Sequence, residues 1–143
     1  MLEFGERKDG VTCVERLCAY AIARDASGAI ALTRTRKGYF LPGGGVEPGE
    51  GLEAALRREV LEELGYAATI VKKLSCAAEF VVDNDERTQY RKVGHFFEAI
   101  LTEKVAEPTE RDHELVWCGA GDSVKRLAQE FQAWAVRQAL GIG

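Results

Sequence analysis

Three prolines, one methionine and two histidines are all that this 143-residue chain holds of those types. No apolar run approaches the ~20 residues that a membrane-spanning helix needs. So little proline, beside 29% charged and 46% hydrophobic residues, excludes a disordered or collagen-like chain. The opening Met1-Leu2-Glu3-Phe4-Gly5 has no apolar core of the kind a secretory signal carries. Positive charge is also in deficit: 19 basic residues stand against 23 acidic ones, a net charge of −4. A duplex nucleic-acid binder shows the opposite balance, so no nucleic-acid polymer is expected as a partner. A polyanionic small molecule stays admissible, provided that a metal cation shields it.

The four cysteines, Cys13, Cys18, Cys76 and Cys118, form no C-x-x-C pair. Reduced thiols in a cytoplasmic protein are the expectation. His95 and His113 lie far apart with no regular metal spacing, and are read as strand-face or loop residues.

With no repeat, low-complexity tract or linker, residues 1–143 read as a single domain. Residues 17–23 and 29–34 read as strands joined by the turn-forming Arg24-Asp25-Ala26-Ser27-Gly28, a hairpin in expectation. Residues 42–45, Pro-Gly-Gly-Gly, read as a turn. Leu52, Leu56, Val60 and Leu64 recur every four residues and predict a helix over 51–64, with Gly65 as its C-cap. One or two strands follow in 67–82, then a polar hairpin loop over 83–92 and a strand over 93–101. An acidic loop over 102–112 precedes a short strand at 114–118. Asp122 or Ser123 is expected to cap a last helix with the stripe Val124, Leu127, Ala128, Phe131, Trp134 and Ala135. Phe131 and Trp134 are expected to pack that helix on a sheet, with a homodimer contact as the alternative. The class is α+β, a helix–sheet–helix sandwich.

Chemistry concentrates in residues 44–66. At ~100° per residue, Glu62 and Glu63 flank Glu59 by about 60° and 40°, so three carboxylates share an arc of about 100°. Like charges so placed destabilise a helix, and Glu63 falls between Leu52 and Leu56, inside the apolar stripe. A hard cation resolves the conflict, since Mg²⁺ prefers carboxylate and water oxygens and completes its shell with substrate phosphates. Gly43, Gly44 and Gly45 allow close backbone approach to a ligand, and their N–H groups suit an anion. Together these features suit metal-assisted hydrolysis of a phosphoanhydride. Gly43-Gly44-Gly45-Val46-Glu47-Pro48 lacks the third glycine of a dinucleotide fingerprint and is followed by no P-loop lysine. Asp83-Asn84-Asp85 starts like a calcium loop but lacks its glycine and terminal glutamate.

Gly44, Glu50, Arg58-Glu59, Val60, Glu62-Glu63 and Gly65 stand in register with the signature box of the Nudix hydrolases, which this chain resembles. Seven fixed positions match by chance with a probability on the order of 10⁻⁸ per starting point. The one departure is Tyr66, at a packing position where the family has Ile, Leu or Val. The resemblance implies an α/β/α sandwich with a mixed sheet between helices. It also implies Mg²⁺ (or Mn²⁺) held by Glu59, Glu62 and Glu63, an arginine, Arg58, that orients the cluster, and loop-shaping roles for Gly44 and Glu50. Family members differ in their general base; Glu59 and the loop residue Glu110, also a candidate metal ligand, are the choices here. Glu79 and Glu98 are weaker candidates that alternation alone would turn to solvent.

Nudix enzymes cleave a nucleoside diphosphate linked to another group. The proline associated with ADP-ribose hydrolases and the tyrosine of dinucleoside polyphosphate hydrolases are not in place, and elimination leaves a nucleoside triphosphate. Dinucleoside polyphosphates, ADP-sugars and a non-catalytic nucleotide-sensing role stay open as alternatives. Tyr39, Phe40, Tyr90 and Phe96 are candidates to stack on a base. Arg34, Arg36 and Lys37 are candidates to reach phosphate, Arg36 foremost.

Overall fold

Two 17-residue strands in the middle of the chain form the spine of the fold, seen in a computed structural model that describes residues 1–82 and 87–142. The Asp83-Asn84-Asp85 stretch lies outside the described residues. The strands are β1 (Leu2–Phe4), β2 (Thr12–Ala23), β3 (Ile30–Thr35), β4 (Gly38–Phe40), β5 (Gly43–Gly45), β6 (Tyr66–Val82), β7 (Thr88–Lys104) and β8 (Glu114–Cys118). The helices are α1 (Leu52–Leu64), α2 (Ala120–Arg126) and α3 (Glu130–Leu140). A mixed five-stranded sheet runs β1-β6-β7-β2-β5, and a three-stranded sheet runs β4-β3-β8. Parallel pairing of β2 with β7 and antiparallel pairing of β6 with β7 make the larger sheet mixed.

Because side chains alternate across a strand, the larger sheet has two apolar faces. Ala19, Ala21, Phe97 and Ala99 receive Leu56 and Val60 of α1. Cys18, Tyr20, Ile22 and Phe96 face the other way, onto β3, β8 and α3. There Tyr20, Phe96 and Phe131 form a triangle of rings with centroids 5.6–5.8 Å apart. The expected α+β sandwich is the fold observed. The α1 helix begins after Gly51, and Gly65 closes it in the left-handed conformation at φ +75°. A Cβ at Gly65 would lie 2.0 Å from the Ala106 carbonyl oxygen, so no larger residue fits without backbone movement.

Several local expectations need correction. β2 and β3 enter different sheets and share only the bridge Arg24–Ile30, so they form no hairpin ladder. Residues 43–45 are strand rather than turn, because β2 offers them an antiparallel edge. The expected loop at 83–92 gives way to β7 from Thr88, whose polar start pairs with β2 and β6. β7 also claims residues 102–104 from the acidic loop. The expected last helix is two, because the Tyr39 carbonyl takes the Ala128 N–H and Leu127 bridges to Tyr39. Asp122 and Ser123 consequently lie inside α2, with Gly119 at its N-cap, and Ser123 Oγ donates to the Ala120 carbonyl. Phe96 is fully buried and stacks on Tyr20, which removes it from the base-stacking candidates. Glu79 does not face solvent: it is half-buried and accepts the Phe131 N–H at 2.8 Å, capping α3.

Phe131 is fully buried at the centre of the ring triangle. Phe131→Ala should cost about 3–5 kcal/mol of unfolding free energy, read by urea denaturation. A loss under about 1 kcal/mol would show that α3 does not hold the sandwich closed.

Candidate active site

The α1 helix delivers four charged side chains to the open end of β5. Arg58 is the hub. Its Nε and Nη2 hold both oxygens of Glu50 at 2.8 and 2.9 Å, a bidentate pair. Nη2 also donates to the Gly45 carbonyl at 3.0 Å, and Nη1 lies 3.1 Å from Glu59 Oε1 and 3.3 Å from Glu62 Oε2. One guanidinium therefore ties the loop ahead of α1, the β5 backbone and two carboxylates together. Its planar fork of five donors suits this in a way that a lysine's point charge does not. The pairing holds the Glu50 carboxyl down at about 2 and pushes Arg58 up. Glu50 also accepts the Glu47 N–H at 3.1 Å, closing the turn at Pro48 and Gly49.

Among the described residues Glu63 has no such partner. It is 13% exposed, accepts the Gly43 N–H at 2.9 Å, and its nearest basic neighbour is His113, with Nδ1 at 3.7 Å. Burial first, then the charges of Glu59, Glu110 and Glu62, push its carboxyl up to about 8 against an ordinary value near 4.5. Glu59 is raised too, chiefly by burial, with Arg58 opposing the shift. Arg58, expected to orient the cluster, pairs with Glu59 and Glu62 and leaves Glu63 in deficit.

The glycines keep the ligand side of these carboxylates open. A Cβ at Gly44 would lie 2.7 Å from Glu59 Oε2, and one at Gly43 (φ +139°) would lie 2.1 Å from the Ala19 carbonyl oxygen. The Gly43 N–H is committed to Glu63 rather than free for an anion, and the Gly45 carbonyl is committed to Arg58. The donor set fits a hard divalent cation: carboxylate oxygens converge from one helix face, and their mutual repulsion is what such an ion relieves.

The loop before β8 supplies a second group of donors that lies against the first. Ligand atoms of Glu110, Asp112 and His113 lie within 4.8 Å of one another. Glu110 is exposed, and its carbonyl accepts the His113 N–H. His113 Nδ1 is buried without a hydrogen-bond partner among the described residues. Sequence spacing gave no reason to connect Asp112 and His113 with α1, because 49 residues separate Glu63 from Asp112.

Other candidates lie further out. Arg36 is exposed and sits 3.6 Å from Asp112; Arg34 pairs with Glu114 on the neighbouring strand. Lys37 lines the cleft beside Gly44, as do Phe40 and Tyr90. Tyr39 instead lies under Arg126, 5.5 Å from the ring centroid. Glu98 is half-buried opposite Ile22, away from this centre.

A mixed sheet packed on both faces, with a carboxylate helix laid against a glycine strand, defines a Nudix-type domain. The family model described as the NUDIX domain matches residues 14–138, and the chain belongs to that family. Nudix family hydrolases act on phosphorus-containing anhydrides. A Bacillus subtilis (strain 168) relative, provisionally named an 8-oxo-dGTP diphosphatase, is 32% identical over 96 residues. That alignment takes in 64% of this chain and 59% of the relative, so the chain spans under two thirds of its length. A nucleoside triphosphatase, NudI of Salmonella schwarzengrund, is 80% identical over 27 residues, 19% of each chain. The crystal structure of a MutT protein from Methanosarcina mazei shares the fold, with a TM-score of 0.71 at 20% identity over 92% of this chain and 98% of that one.

The buried Glu63 carboxyl makes a prediction for metal-free protein. A carboxyl raised in the folded state stabilises below its unfolded value near 4.5 and loses that contribution as pH rises towards 8. Glu63→Gln, which mimics the protonated form, should melt above wild type in EDTA at pH 8, by roughly 5 °C. The gap should close by pH 4.5. Equal melting temperatures at pH 8 would refute an uncompensated Glu63.

Proposed function

We propose that the chain is a divalent-cation-dependent pyrophosphohydrolase acting on a nucleoside diphosphate linked to another group, with a nucleoside triphosphate as the substrate type. The carrying observation is the charge deficit at Glu63: Arg58 serves Glu59 and Glu62, and the third carboxylate is buried at the cleft with no Lys or Arg paired to it among the described residues. Glu59, Glu62 and Glu63 would hold Mg²⁺, with Mn²⁺ as a substitute and Glu110 as the loop contribution. When bound, that ion supplies neutralisation of phosphate oxygens and a lowered pKa for a water.

The chain's own residues do the rest. Arg58 fixes the Glu59 and Glu62 carboxylates and the β5 backbone in one frame, so that a phosphate chain meets a preset arrangement. Gly44 leaves Glu59 within reach of a substrate atom, which suits it to take a proton from attacking water; Glu110 is the alternative base. Lys37 and Lys92 line the cleft and form no ion pair among the described residues, so both are free to meet phosphate. Arg36, bound weakly to Asp112, is an outer phosphate contact. The names of the Bacillus and Salmonella relatives support a triphosphate.

We place the activity in a single domain in the cytoplasm, in keeping with four cysteines free of disulfides. No helix among the described residues is long and apolar enough to cross a membrane.

A panel of nucleoside triphosphates, dinucleoside polyphosphates and ADP-sugars with Mg²⁺ should give Mg²⁺-dependent release of nucleoside monophosphate and pyrophosphate from a triphosphate. Glu63→Gln should lower kcat by about 100-fold or more without loss of fold. Turnover undiminished in that variant, or in EDTA, would overturn the assignment.

A further inference from the structure

Three soft donors stand in one row across the larger sheet, and the carboxylate centre uses none of them. Parallel pairing of Leu2 with Ala77 puts Met1 beside Cys76, and antiparallel pairing puts Cys76 opposite His95. Cys76 Sγ lies 3.9 Å from the Met1 thioether sulfur and 3.9 Å from His95 Nε2. Ala77 and Phe96, the next residues along their strands, belong to the core on the α3 side. By alternation the row therefore lies on the face that carries α1. Ala19, opposite His95 on β2, is fully buried and closes one end of the row. The other end is open: Met1 is 69% exposed, and Cys76 and His95 are half-buried.

Neither contact is a strong hydrogen bond, because a thiol donates weakly and a thioether accepts weakly. The spacing suits three atoms that share an ion. Metal bonds of about 2.3 Å to sulfur and 2.0 Å to nitrogen set ligand atoms about 3.7–4.0 Å apart in a trigonal plane. The donor types then choose the ion. Zinc takes four ligands from cysteine, histidine and carboxylates, whereas thiolate with thioether selects Cu(I), and imidazole suits copper too. No carboxylate stands in this row, so Mg²⁺ has nothing to bind there. Burial, then the charge of Lys73, holds the His95 pKa below its ordinary value near 6.5, which keeps the ring neutral, as a ligand must be. His95 Nδ1 is buried with no hydrogen-bond partner among the described residues, so no second group fixes the ring. The lack of such a partner weakens a metal site by about 10- to 100-fold, and the ion held here is exchangeable rather than structural.

We propose that Met1, Cys76 and His95 form an exchangeable binding site for Cu(I) that shares no residue with the α1 carboxylates. On binding, the Cys76 thiol releases its proton to solvent and a sulfur–copper bond forms. The Met1 sulfur and His95 Nε2 join as neutral donors, and the ion stays Cu(I) throughout. Strand order brings the three together: β1, β6 and β7 are neighbours, and each supplies one residue at the same level, Met1 from the step just before β1. The other thiols lack this setting. Cys18 and Cys118 are buried. Cys13 is half-exposed, but the cavity that it lines offers no second sulfur or imidazole.

The test titrates the full chain, reduced and free of oxygen, with Cu(I) against a chromophoric Cu(I) chelator in excess Mg²⁺. One tight equivalent is expected. Met1 is the single methionine of the chain, so ¹³C-methyl labelling gives one methionine signal. Cu(I) is diamagnetic and should shift that signal, complete at one equivalent. Cys76→Ser should weaken binding by at least about 100-fold and leave the signal in place. His95→Gln should weaken it by about 10-fold or more, which guards against misfolding of the first variant. Cys13→Ser should change neither affinity nor shift. A bound equivalent that leaves the Met1 signal still, that survives Cys76→Ser, or that is lost in Cys13→Ser would overturn the proposal. So would failure to hold Cu(I) against the chelator, or its displacement by an equal concentration of Zn²⁺. None of these readouts involves turnover, so this inference and the hydrolase reading stand or fall separately.

Discussion

The candidate site depends on one guanidinium. Arg58 reaches Glu50, Glu59, Glu62 and the Gly45 carbonyl at once, so the loop before α1, the helix and strand β5 share a single electrostatic anchor. Fork geometry makes that possible: five fixed donors serve several acceptors at the cost of ordering one side chain. The anchor stops short of Glu63, one helical step beyond its reach, where a buried carboxylate has only a backbone N–H and a distant imidazole. A charge so placed is costly without a cation. The site combines a stabilised half that fixes geometry with a destabilised half that awaits a ligand. Strain of this kind belongs to function rather than to folding.

The fold serves that arrangement. β5 is only three glycines long, yet its pairing with β2 carries Gly43 and Gly44 to the carboxylates and leaves no Cβ in the way. α1 lies on the face of the sheet formed by Ala19 and Ala21, whose small side chains let it pack closely. On the opposite face Tyr20 sits above Phe96 and Phe131, so the floor of the cleft belongs to the core. The same α3 that contributes Phe131 to the core brings Gln129 and Gln132 to the cleft, and Glu79 caps its start.

Legibility from sequence divided along physical lines. The helix over 52–64 and its glycine cap were readable because periodicity and capping are local, and the 114–118 strand likewise. The box in 44–66 was readable because carboxylate spacing on one helix maps directly to one face. The two-sheet arrangement was not, since strands 17–23 and 29–34 carry every signal of a hairpin and only β7 and β8 decide that they part. The polar beginnings of β2 and β7 hid their length, because exposed strand residues look like loop. Asp112, His113, Gln129 and Gln132 were invisible for the same reason: each joins the cleft through contacts with residues dozens of positions away, and no spacing rule connects them.

The most direct test of a cation centre at the α1 carboxylates is anomalous diffraction from crystals soaked in Mn²⁺. Density enclosed by Glu59, Glu62 and Glu63, and lost in Glu63→Gln, is the predicted result. An ion held only by Glu110, Asp112 and His113, or none at all, would contradict it.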